Sequence, residues 1–183
     1  VSMGDRSTVV TLTDEQSVTN AIHRVSSDKQ KKIYFIDGHG EASISDVDSA
    51  SGLGLFAKDL KNQNYVVETL FLPELESVPD DAAAVVSVAT DKSYFPHEID
   101  SLERYMRRGG RVMFLLEPGK GTGITDMLLR WGVIAGNDVI IDQQMRLFQG
   151  LTMGIDPVVS TYGKHPSVGS LQERTIFSLA RSV

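Results

Sequence analysis

Hydrophobic and polar positions along this chain change period several times, and each change marks an element. In "TLTDEQSVTNAIHRVSS" Val18, Ile22 and Val25 recur at helical spacing. Thr13 stands as N-cap with Gln16 three residues on, the spacing of a capping box. A short amphipathic helix over residues 14–26 is predicted, narrow in its apolar face and so packed on the edge of a larger body, with His23 on its exposed side. From Lys31 the pattern becomes strand, loop, helix, strand, repeated. "KIYFID" has apolar residues at consecutive positions, as in a strand covered on both sides. In "LGLFAKDLKNQ" Leu53, Phe56 and Leu60 share a helix face. "YVVETLFL" is the second strand, closed by Pro73, and "AAAVVSVA" the third, a small-apolar run suited to the middle of a parallel sheet.

"PHEIDSLERYMRRGG" reads as a complete helix. Pro96 stands near N1, Glu98 and Asp100 come early, arginines come late, and Gly109 ends it. Its core face is Ile99, Leu102 and Met106. "RVMFLLE" is a fourth strand, "GITDMLLRWG" a third helix of the alternating series ending at Gly132, and "DVIID" a fifth strand. Strands alternating with helices over crossover-length connections predict an α/β domain over residues 8–142, its parallel sheet covered by helices on both faces. Strand order is not legible in this pattern. Residues 143–183 differ, because glycine and proline interrupt short apolar pieces from Gly150 through Gly154, Pro157, Gly163 and Pro166 to Gly169. They form an irregular C-terminal extension, adding edge strands or starting a following domain. Residues 1–6 read as a cloning scar, and the close on "TIFSLARSV" reads as a piece of a longer protein.

Composition narrows the function classes. The 183 residues carry 24 acidic against 18 basic side chains, a formal net charge of −6, which argues against a nucleic-acid partner. The densest basic run, Arg104, Arg107, Arg108 and Arg111, is a solvated helix end that complements the helix dipole. There is no cysteine, so disulfides, thiolate metal sites and cysteine nucleophiles are all excluded. No apolar run reaches the roughly 20 residues that span a bilayer.

The densest chemistry is in "DGHGE". In open α/β sheets ligands bind beyond the carboxyl ends of the strands. Three segments should converge there: Asp37-Gly38-His39-Gly40-Glu41 after the first strand, Thr90-Asp91-Lys92 after the third, and Glu117 to Lys120 after the fourth. Histidine is a side chain suited to proton transfer, and Glu41 or Asp37 could orient His39, while the glycines open the backbone to a ligand. The alternative is a tight turn whose ionisable groups pair with neighbouring loops. Ser43 stands where a dinucleotide fingerprint needs its third glycine, and "EPGKGTG" lacks the spacing of a phosphate loop. No G-x-S-x-G elbow flanks Ser87 or Ser93, and His39, His97 and His165 have no metal-ligand spacing. No cofactor is implied.

Taken in order, "LTDEQSVTNAI", "KIYFIDGHGE", "YMRRGGRVMFLLEP" and "YGKHP…FSLARSV" resemble the auxiliary component of uncharacterised ABC transport systems of the gliding-motility type, from about Thr8 to Val183. Gly38, His39, Gly40, Glu41, Tyr162, His165 and Pro166 match that pattern, with no chemistry assigned to them. The resemblance implies a flavodoxin-like or class I amidotransferase-like sheet, shared with an intraflagellar-transport subunit. It also implies an ABC permease and ATPase as partners. The domain would stand on the extracytoplasmic, periplasmic face of the inner membrane, anchored by helices outside this chain.

The leading expectation is therefore a non-enzymatic domain that binds a ligand or partner. Asp37, Gly38, His39, Gly40 and Glu41 would line a cleft with Asp91, Glu117 and His165 at its rim, and its acidic bias suggests a sugar-like or cationic small ligand. Two other readings stand beside it: a hydrolase or lyase with His39 as general base, and a pure scaffold whose cleft is filled by its own side chains.

Overall fold

The computed structural model describes residues 1–11, 14–27, 30–143, 154–166 and 168–183. The chain divides into two compact units, Val1–Leu115 and Leu116–Val183.

The first unit opens with a hairpin of β1 (Ser2–Met3) and β2 (Arg6–Ser7). Helix α1 (Glu15–Ser26) follows. Its N-cap is Asp14, whose carboxylate accepts from Ser17 N at 2.8 Å and Ser17 Oγ at 2.7 Å. Thr13, expected in that role, lies outside the described residues. Ala21 and Val25 are the buried positions of α1, while Ile22 points outward at 51% exposure, one step off the expected face. His23 is exposed, as its position predicts.

The sheet is made of β3 (Lys32–Asp37), β4 (Val66–Phe71), β5 (Ala82–Val88) and β6 (Val112–Leu115), all parallel, in the order β4-β3-β5-β6. The expected first four strands therefore all form. Tyr34, Phe35 and Ile36 are buried in succession, which requires cover on both faces of β3. On one face α2 (Gly54–Asn62) sets Ala57 against Phe35, Val67 and Val86, with Leu53 and Leu60 flanking. Phe56 reaches only the rim, half exposed and edge-on to Phe35 at 6.1 Å. Helix α3 (Pro96–Arg107) buries Ile99, Leu102 and Tyr105. Tyr105, whose hydroxyl donates to Ala82 O, is the inner residue where Met106 was expected.

Because the chain runs from β3 to β4 on one side and returns to β5 on the other, the order reverses between β3 and β5. That is the topological switch point, and both strands deliver their carboxyl ends to it.

The second unit holds α4 (Thr122–Arg130) and a two-stranded antiparallel pair, β7 (Val158–Val159) with β8 (Thr175–Ile176). "DVIID" does not form the expected strand. Ile140 N donates to Ala180 O and Asp142 N to Gly154 O, so the segment's donors go to two separate stretches rather than along one ladder. Its apolar side chains Val139, Ile140 and Ile141 remain 39%, 41% and 53% exposed. Residues 154–166 and 168–183 of the C-terminal extension are irregular apart from the short pair, and residues 144–153 and 167 lie outside the described residues.

Candidate functional site

Beyond β3 the chain must turn sharply, and two glycines make that possible. Gly38 and Gly40 have φ of +127° and +81°. A Cβ at Gly38 would come within 2.8 Å of Pro73 Cγ, and one at Gly40 within 3.0 Å of Asp91 Cβ and Oδ2. The turn is tied to the end of β5 by the backbone: Asp91 N and Lys92 N both donate to His39 O at 3.0 Å, and Ala42 N donates to Val88 O. Two of the three segments expected to converge at the switch point, those after β3 and β5, therefore do so.

This places His39 between two carboxylates. Its Nε2 lies 3.1 Å from Glu98 Oε2, and its Nδ1 lies 3.7 Å from Glu41 Oε1. Neither ring N–H is aligned on its neighbour well enough to make a hydrogen bond, and Glu98 Oε1 and Thr90 Oγ1 are likewise buried without a partner. Glu41 is held by other means. Its Oε2 accepts from His39 N at 2.7 Å, and its Oε1 accepts from the Tyr94 hydroxyl at 2.6 Å. Tyr94 Oη also lies 3.0 Å from Ser87 Oγ. Burial, and then the Glu41 carboxylate beside it, push the Tyr94 phenol well above its ordinary value, so it stays a neutral donor. Glu98 has a second task, since its Oε2 accepts from Phe95 N at 2.5 Å as the N3 residue of α3 reaching back to the N-cap amide.

The cluster is closed. The side chains of His39, Glu41 and Glu98 are 3%, 1% and 0% exposed. The rings of Tyr94 and Phe95 lie against the imidazole at 4.5 and 5.8 Å between centroids. A histidine within reach of a carboxylate has the composition of an acid–base pair, but general acid–base work requires the reacting atom to reach it. Here three ionisable groups face one another inside the protein. Taking such groups out of water costs several kcal/mol per ion, offset only while all partners are present. Among the described residues no three His, Asp or Glu groups are arranged to hold a metal.

The other sequence candidates are not part of this cluster. Asp37 is exposed, and its Oδ1 accepts from its neighbour Gly38 N. Asp91 contributes its backbone, and its side chain faces Gly40. Glu117 belongs to the second unit, where Lys120 Nζ pairs with it at 2.7 Å. His165, also in the second unit, is exposed, and its carbonyl accepts from Val168 N and Gly169 N in a turn. The basic run is occupied locally: Arg104 donates to Glu76 O, Arg107 faces Glu103, and Arg108 pairs with Asp80.

Sequence reasoning missed Glu98, Tyr94 and Ser87. A signal for Glu98 was present in "FPHE", since a glutamate two residues after an N1 proline folds back over the helix start. That start follows the loop from β5, at the same end of the sheet as His39.

Residues 30–175 match the family described as "ABC-type uncharacterized transport system". The match covers most of the chain, which belongs to this family of auxiliary components of ABC transport systems. No curated protein matches it. Among solved structures, the "mmIFT52 N-terminal domain" is similar with a TM-score of 0.60 and 17% sequence identity. The likeness covers 81% of this chain and 66% of that one, and at this identity it is a likeness of fold alone.

Proposed function

Taking membership in an ABC transport-system family as the premise, we propose that this chain is a non-enzymatic binding domain of the auxiliary component. The observation that carries this reading is the filled switch-point crevice. His39, Glu41 and Glu98 occupy the place where an open sheet of this kind would hold a ligand, and they are almost wholly buried. On this reading "DGHGE" is a vestige of a ligand turn turned into a latch between β3, β5 and α3. The 2-1-3-4 order of the sheet strands supports a flavodoxin-like or amidotransferase-like ancestry. The partners are the permease and ATPase of the same transport system, of gliding-motility type, with the domain on the extracytoplasmic face of the membrane. These assignments rest on the resemblance in sequence and on the family match.

The test is capture and turnover together. The detergent-solubilised permease and ATPase should retain the domain saturably, and the purified domain should hydrolyse none of a panel of chromogenic esters, amides and glycosides. Turnover abolished by His39→Gln at an unchanged melting temperature would overturn the reading in favour of a hydrolase.

A further inference from the structure

The first unit has a second concavity, with no part in the His39 cluster. Residues of helix α1, of the last turn of α2 and of the segment 8–11 line a groove of about 580 Å³. That volume lies within the range of small-molecule sites, roughly 300–1,000 Å³. The chain leaves this turn of α2 for the amino end of β4, whereas His39 follows the carboxyl end of β3.

We infer that this groove binds a pyranose-type sugar, one or two rings long, through the side chains of Asn20, Arg24, Asp59, Asn62 and Gln63. This rests on the reading of the chain as a binding domain and names the ligand class.

Four properties of the lining lead there. First, among the described residues the lining is mostly polar: its apolar members there are Val9, Val10 and Ala21, and Val9 is 88% exposed, so these offer an aromatic or acyl ligand little wall to lie against. Second, its charge is mixed and nearly balanced. The lining carries one cation, Arg24, and two carboxylates, Asp14 and Asp59, so a phosphate would meet more repulsion than attraction. Third, the polar groups alternate in kind. Asp59 can only accept, Arg24 can only donate, and the amides of Asn20, Asn62 and Gln63 do both. A sugar hydroxyl both donates and accepts, and vicinal hydroxyls meet such a set pairwise. Fourth, Arg24 is loosely held. Its Nη1 is 3.4 Å from Thr8 Oγ1 and its Nη2 3.5 Å from Asn62 O, at the outer limit of hydrogen bonding, so the guanidinium bridges both walls yet can re-aim its donors cheaply. Asp14 is already engaged by Ser17, whose backbone amide holds its carboxyl below the usual range, and it serves as a fixed wall.

The experiment is a backbone-amide NMR titration of the whole chain with glucose, galactose, N-acetylglucosamine and maltose, with inorganic phosphate as the counter-probe. The expected result is saturable shifts at millimolar sugar, confined to residues of α1 and to 59–63. Asn20→Ala combined with Asn62→Ala should weaken that binding at least about ten-fold, or 1.4 kcal/mol, at an unchanged melting temperature. Phosphate should produce no saturable shift. Three results would overturn the inference: no sugar of the panel moving groove amides at tens of millimolar, shifts that survive in the double variant, or phosphate binding that depends on Arg24. Failure here with capture by the permease and ATPase intact would remove the sugar site only. Loss of that capture as well would remove the reading it rests on.

Discussion

The switch-point crevice and the α1–α2 groove of the first unit both carry polar and ionisable side chains and use them in opposite ways. At the carboxyl end of the sheet His39, Glu41, Glu98 and Tyr94 have turned inward and lost contact with water, the carboxylates and the phenol hydrogen-bonded to one another or to backbone and the imidazole set between the carboxylates. In the α1–α2 groove Arg24, Asp59 and Asn62 are exposed and Asn20 is half-buried. The difference lies in the connections rather than the chemistry. The crevice is closed because the turn after β3 is pinned to β5 through the His39 carbonyl and roofed by the start of α3. Ionisable residues at a switch point therefore do not by themselves make a site, since what packs over them decides.

This contrast can be broken from the crevice outward. The largest effect should come from Glu98→Ala, which removes the acceptor for Phe95 N and leaves His39 buried beside one fewer carboxylate. A loss of about 3–5 kcal/mol in denaturant unfolding is expected, against little change for Glu98→Gln at the cap itself. Gly38→Ala should follow at about 2–3 kcal/mol, because a Cβ there meets Pro73 and Phe71 and the backbone has positive φ. Tyr94→Phe deprives a buried carboxylate oxygen of its donor, and about 1–3 kcal/mol should be lost.

The same tyrosine predicts a pH dependence. Its folded pKa is raised above the unfolded value of about 10, so the stability it contributes is complete below that pH and is lost as pH rises through it toward the folded value. Burial also pushes the Tyr34 phenol up, so in a spectrophotometric titration Tyr94→Phe should lose one of the phenolate signals delayed to alkaline pH and retain the other. Smallest of all, Asn20→Ala and Asn62→Ala should each change unfolding by no more than about 0.5 kcal/mol, since surface substitutions away from buried contacts rarely do more.

Much of this architecture was legible in the sequence. "KIYFID" and "AAAVVSVA" announce strands because burial on both faces leaves no room for polar alternation, and Tyr34, Phe35 and Ile36 are buried in succession as that pattern demands. "DVIID" has the same composition and forms no strand, because a run of apolar residues specifies a strand only when a partner edge accepts its backbone. Parallel topology brings the turn after β3 and the end of β5 to the same edge of the sheet, while their meeting depends on the strand order that places β3 beside β5. The closure was not legible, because Glu98 reaches His39 through the packing of α3, a contact 59 positions apart in sequence. Within the helix, Glu98 has the pattern of any acidic first-turn residue. Tyr94 was likewise invisible, since an aromatic before a helix start has no period to mark it as buried.

The account turns on whether the switch-point crevice is sealed, and histidine labelling tests this directly. Diethyl pyrocarbonate should modify His23, His97 and His165, which are exposed, and leave His39 unmodified in the native protein, as resolved by peptide mass spectrometry. Labelling of His39 should begin only in denaturant, together with global unfolding. Modification of His39 at the rate of the other three, in protein that is otherwise folded, would show an open site and contradict the account.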